Sequence, residues 1–141
     1  MYTDPSMAKK SSKTDNDTTL QDLRDAVEHF STERNWVNND PKQLLLSAFI
    51  ELGELAEHYQ WSSDGAWQTR ANKKKEIAYE LVDVFFYLLR FINKSGFDFS
   101  SNFYQKTEKL AKKYPVTLKT REEYQQAKDS YRRSGKNKLY D

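Results

Sequence analysis

The chain has 141 residues, 37% of them hydrophobic, with a mean hydropathy of -0.97 and a formal net charge of +2, which leaves room for one domain. Four glycines and three prolines are too few for a many-stranded β architecture, which needs frequent turns. The longest apolar run, Val84 to Leu89, is closed by Arg90 and falls far short of the ~20 residues of a membrane span.

No segment near the N-terminus has the order of a secretory signal, and cysteine is absent, so a cytoplasmic protein is expected. The basic excess is confined to the tail. Residues 1 to 18 are net 0, residues 19 to 115 net -1 and residues 116 to 141 net +3. Because the tail mixes both signs, it reads as a solvated segment rather than an RNA-binding arm.

In chain order, residues 1 to 18 are polar and too poor in apolar side chains to offset the entropy of ordering them, so disorder is expected. Met7 is a candidate natural start, with 1 to 6 read as a cloning remnant. From Thr19 the residues Leu20, Leu23, Val27 and Phe30 recur at helical steps, which predicts a first helix over 19 to 34 capped by Thr18 or Thr19. Asp40-Pro41 supplies an N-cap oxygen and a residue suited to the first turn, opening a second helix that runs to about Trp61. A polar link follows. The third helix is predicted over 71 to 94, ending before Ser95-Gly96, and a fourth restarts at Ser100 or Ser101 and stops before Tyr114-Pro115. REEYQQAKDSYRR in the tail is a weaker helical stretch. The domain of interest is therefore 19 to 115, all-α, with 116 to 141 as a polar basic tail.

With Glu51 at 0° and about 100° per residue, Leu44, Leu45, Ala48, Phe49, Leu52, Leu55 and Tyr59 fan over roughly 20° to 160°. Glu54, His58 and Trp61 fall at about -60°, -20° and -80° on that scale. The third helix repeats the plan: with Glu80 at 0°, its apolar stripe again lies at about 20° to 180°, while Asp83, Glu76 and Tyr87 sit near -60°, -40° and -20°. Packed as a hairpin, the two helices bring two carboxylate pairs beside the core. Four acids gathered there must take up protons or a cation. A hard divalent cation with open positions, magnesium above all, suits a phosphate substrate, and the lack of Cys or a His pair argues against structural zinc. The same spacing also serves solvent-facing glutamates, and spacing alone leaves both readings standing. His58 reads as a half-exposed surface histidine. Gly53 inside a helix is a cost that close approach of another helix would explain.

The segments ELGELAEHYQW (51 to 61) and ELVDVFFYLLRF (80 to 91), an ExxE and an ExxD separated by 25 residues, resemble the signature helices of the MazG-like all-α nucleoside triphosphate pyrophosphohydrolases. ERNW (33 to 36), DPKQLLL (40 to 46) and KKYPV (112 to 116) resemble stretches of the same family, particularly its dCTP pyrophosphatase branch. The resemblance spans about 23 to 118. It implies a four-helix bundle that assembles as a dimer or dimer of dimers, and magnesium-dependent hydrolysis of a (deoxy)nucleoside triphosphate to the monophosphate and pyrophosphate. By position it makes Glu51, Glu54, Glu80 and Asp83 the metal ligands and catalytic acids. Trp36, Trp61 and Tyr87 would hold the nucleotide, and Lys73 and Lys113 are candidates for its phosphates. Leu110 stands where the family has a base- or sugar-contacting Asn, and Asn39-Asp40 replaces a frequent His before the proline, so base identity is left open between dCTP and modified pyrimidine nucleotides. The terminal SGKNKLYD resembles the family's C-terminus, which closes over bound nucleotide. The expected partners are a nucleoside triphosphate and further copies of the chain, with nucleic acid disfavoured and no membrane. The competing class is a non-catalytic oligomeric scaffold or an RNA-contacting module that uses the basic tail.

Overall fold

Helices begin where the sequence supplies a side-chain acceptor for an unpaired backbone N–H. The computed structural model describes residues 13–61 and 71–135, and among these there is no β-strand. Thr19 caps α1 (Leu20–Glu33) in a capping box with Asp22. Asp40 caps α2 (Pro41–Gln60), with Pro41 in its first turn and Gln43 completing the box; an N-cap of this kind is worth about 1 kcal/mol. α3 spans Ala71–Ser95 and closes at Gly96, whose φ of 70° is the left-handed conformation glycine adopts at least cost.

α4 (Phe99–Lys113) starts earlier than the serines suggested. The Asp98 carboxylate accepts from the Ser101 N–H at 2.7 Å, so the aspartate takes the cap and both serines fall inside the helix. The tail stretch is a formed helix, α5 (Arg121–Arg133), capped by Thr120 with Glu123. Five helices are therefore present among the described residues, the four expected of the bundle and the weaker stretch read in the tail. α5 carries Glu122 and Glu123 in its first turn and Arg132 and Arg133 in its last, each sign opposite the helix-dipole end it occupies. Hydrogen bonds from the backbone N–H groups of Lys119 and Thr120 hold the Glu123 carboxyl below its ordinary range.

The described chain forms two compact units, one up to Phe97 and one from Asp98. The division expected at 115/116 falls inside the second. In the first, α3 packs against both α2 and α1. Val27, Leu89 and Ile92 form a core cluster with Leu20 and Phe86 against it. Asn93 fastens α3 to α1 twice, accepting from Arg24 Nε at 2.8 Å and donating to the Arg24 carbonyl at 3.0 Å. In the second unit α4 packs on α5, with the Tyr114 and Tyr124 rings 6.0 Å apart.

Residues 1 to 12, including the supposed cloning remnant, lie outside the described residues, as do the link 62 to 70 and residues 136 to 141. Of the expected disordered segment, Thr14 to Asp17 forms a turn closed by a 3.0 Å backbone hydrogen bond.

Candidate metal and nucleotide site

On α2, the residues nearest the acids in angle are the buried ones: Leu44 and Ala48 are almost inaccessible. On α3, Val84 plays the same part. This shared edge holds the two helices together and fixes what flanks it. On one flank Glu51, Glu54 and Glu80 each offer a carboxylate oxygen, all within 4.8 Å of one another. Glu51 and Glu80 are half-buried and Glu54 is exposed. Asp83, one turn beyond Glu80 and exposed, stands outside that set, yet its charge reaches Glu51.

Loss of water around Glu51, followed by repulsion from Glu54, Asp83 and Glu80, raises the Glu51 carboxyl above its ordinary range. In the metal-free protein its negative charge therefore opposes folding. The penalty is absent below the ordinary glutamate range, where folded and unfolded chains are both protonated, and is complete above the raised value. Glu51→Gln is accordingly expected to raise the Tm of the protein in chelator at pH 7, and this gain should shrink as the pH falls through the raised value. Thermal melts by circular dichroism across that range measure it; a lower Tm in the variant would mean that the charge is held by favourable contacts.

The aromatic candidates divide. Trp36, in the turn between α1 and α2, packs edge-on against Phe30 at 5.8 Å. Phe30 meets Phe86 at 5.5 Å, and Phe86 meets Tyr87 at 5.7 Å, so Trp36 and Tyr87 are the ends of one row of rings. Tyr87 follows Asp83 by one turn, about 6 Å along the helix. Trp61 caps the end of α2 and is 89% exposed; no ring contact joins it to the row among the described residues. Lys73 is half-buried at the start of α3 and His58 half-buried at the end of α2. Lys113 and Leu110 belong to the second unit, where the Lys113 ammonium lies over the Tyr114 and Tyr131 rings at 5.2 and 5.3 Å and Leu110 is partly exposed.

A model of the MazG-like family matches residues 46–128. The chain belongs to that family. It is 35% identical over 106 residues to rat (Rattus norvegicus) dCTP pyrophosphatase 1 and 33% identical to the human (Homo sapiens) protein of that name. Each alignment covers 71% of this chain and 61% of the relative, so the chain spans about three fifths of their length. Among solved structures, a pyrophosphatase from Archaeoglobus fulgidus DSM 4304 aligns with a TM-score of 0.62 at 33% identity, covering 68% of this chain and 92% of that one. The MazG-like match contains α3, most of α2 and the whole acidic cluster.

Two features of this MazG-like chain were beyond sequence reasoning. Arg90, which merely closed an apolar run, is 5% exposed and lies against Trp36. The far half of the α2 stripe, Leu45, Phe49 and Leu52, is exposed, as are Leu81 and Phe85 on α3, whose Leu89 and Ile92 are buried with Val27 of α1. Gly53 has nothing within 4 Å of where a Cβ would stand, so among the described residues no other helix approaches it.

Proposed function

We propose that this MazG-like chain hydrolyses a deoxynucleoside triphosphate, dCTP or a modified pyrimidine analogue, to the monophosphate and pyrophosphate with magnesium. The observation that carries this reading is the meeting of three carboxylates from two helices within 4.8 Å, at the cost in Glu51 ionisation described above. An all-oxygen, like-charged donor set fits a hard divalent cation and lacks the soft ligands that zinc or copper would favour. Glu51, Glu54 and Glu80 would hold the ion, with Asp83 as the fourth acid. Bound magnesium supplies charge neutralisation on the phosphate oxygens and on the departing pyrophosphate.

The remaining work belongs to the chain's own groups. In this reading Glu54, the exposed member of the cluster, helps hold the ion with one carboxylate oxygen and with the other orients an attacking water and accepts its proton. Trp36 and Tyr87, at the two ends of the ring row, contact the nucleotide in this reading, and Lys73 binds its phosphates. A nucleotide-holding role for Trp61 rests on the family resemblance alone. Nothing here selects one base by hydrogen bonding at Leu110, since a leucine side chain has no donor or acceptor.

The chain acts in this reading as a homodimer or homotetramer, because the exposed apolar flank of α2 and α3 lies opposite the acids and needs a cover. No helix among the described residues is long and apolar enough to cross a membrane, and the proposed place of action is the cytoplasm with its free nucleotides. Purified protein is expected to release pyrophosphate and monophosphate from dCTP-like members of a dNTP panel with magnesium. Turnover of none of them would refute the enzyme and leave a helical binding module.

A further inference from the structure

Arg90 is a cation placed where cations are costly. It is 5% exposed, and none of the ion pairs among the described residues includes it. A guanidinium taken out of water without a carboxylate must be held by other acceptors. Its Nη2 donates to the backbone carbonyl of Trp36, and its central carbon lies 5.9 Å from the ring centres of both Trp36 and Phe86. Among the described residues, the hydrogen bond and ring contacts that compensate this buried charge involve the Trp36 turn and the Phe86 ring beside it.

The turn is pinned from its other side as well. Asn35 takes a left-handed φ of 55°, a conformation that asparagine tolerates better than most residues, and this reverses the chain after α1. The Trp36 N–H then donates to the Ser31 carbonyl at 2.8 Å, and Ser31 is itself buried with its hydroxyl donating to the Val27 carbonyl at 2.8 Å. Both backbone polar groups of Trp36 are thus engaged, yet its side chain remains 46% exposed. A fixed backbone beneath a half-open indole differs from a core tryptophan, whose ring is covered. It is the arrangement of a platform whose ordering cost is met before a ligand arrives.

We propose that Arg90 is a positioning residue: its clamp on the Trp36 carbonyl and its packing against the indole hold Trp36 as a rigid face for the base of the nucleotide. The inference rests on the pyrophosphohydrolase reading above for the identity of the ligand, while the clamp itself stands on geometry alone. Lysine would retain the charge but lose the planar fork that donates and stacks at once.

The test separates the two levels. In a Trp61→Phe/Trp67→Phe background Trp36 is the sole tryptophan of the three in the chain, and its acrylamide quenching reports ring mobility without reference to catalysis. Arg90→Met is expected to increase that quenching while far-UV circular dichroism stays unchanged. In the otherwise native chain the same substitution should raise KM for dCTP about tenfold and leave kcat within about twofold, since only binding geometry is lost. Added to Trp36→Ala, it should raise KM no further, because a residue acting through another is silent once that other is gone. Arg90→Lys should fall between. Unchanged quenching in folded Arg90→Met, a fall in kcat with KM unaltered, or an additive effect on Trp36→Ala each overturns the proposal. Failure of both Arg90→Met and Arg90→Lys to fold would also overturn it, making Arg90 a purely structural group. Should the native protein turn over no dNTP, the function falls, and the quenching experiment still decides the clamp.

Discussion

Glu54→Gln is expected to lower pyrophosphate release by at least about 100-fold, the loss that removal of even an outer partner of a metal ligand can cause. The substitution keeps the shape of the side chain and changes only its charge. Because Glu54 is exposed and carries no packing in the core, the variant should fold like the native chain, so the effect reads the site and not stability. A second measurement on the same variant is independent of turnover. Anything that binds only the folded state raises its stability by mass action, about 2.7 kcal/mol at a hundredfold excess over Kd. Magnesium should therefore raise the Tm of the native protein, and this rise should disappear in Glu54→Gln. Glu57→Gln, the same change on the same helix outside the cluster, should preserve both. Native-level activity in Glu54→Gln would remove the acidic cluster from the chemistry.

What the sequence disclosed and what it withheld follow a physical division. Features set by a few neighbouring residues were legible: Thr19 and Asp40-Pro41 start helices because a side-chain oxygen meets a free N–H within three residues, and Gly96 ends one because its own φ permits it. Even here the local rule had competitors, and Asp98 took the cap expected of Ser100 or Ser101. α5 was faint because end charges and a capping box hold it instead of a buried stripe. The helical wheel placed Glu51, Glu54 and Glu80 on one flank, but the offset of Asp83 from that trio depends on how α2 and α3 are set against each other, which periodicity does not encode. Arg90 was out of reach for the same reason. An arginine after six apolar residues looks like the end of a buried run, and only the Trp36 turn arriving from elsewhere in the chain makes it part of the interior.

Phe49→Asp should convert an assembled protein into monomers, read as a fall in mass by light scattering after size exclusion. Phe49 is 71% exposed, Leu46 61% and Val82 59%, and they share the apolar flank of the α2–α3 pair with Leu45, Leu81 and Phe85. Monomers rarely leave apolar patches of more than a few hundred Å² open to water. The most economical cover is the same patch on a second copy, since a two-fold interface needs only one complementary surface. That symmetry also doubles the effect of any change. Burial of one phenylalanine contributes about 2 kcal/mol, so its loss from both copies weakens a dimer by about 4 kcal/mol, or roughly a thousandfold in Kd, before the desolvation of two aspartates is counted. Helical content should persist, because Phe49 lies outside the buried core of the described residues. Gly53 sharpens the test: in an isolated helix alanine there is worth up to about 1 kcal/mol, so Gly53→Ala should stabilise a monomer, whereas a partner helix packed closely on that face would turn the added methyl group into a clash and weaken association. A native protein that is monomeric at high micromolar concentration, with Phe49→Asp no different, would show that the flank is covered by something other than its own copy.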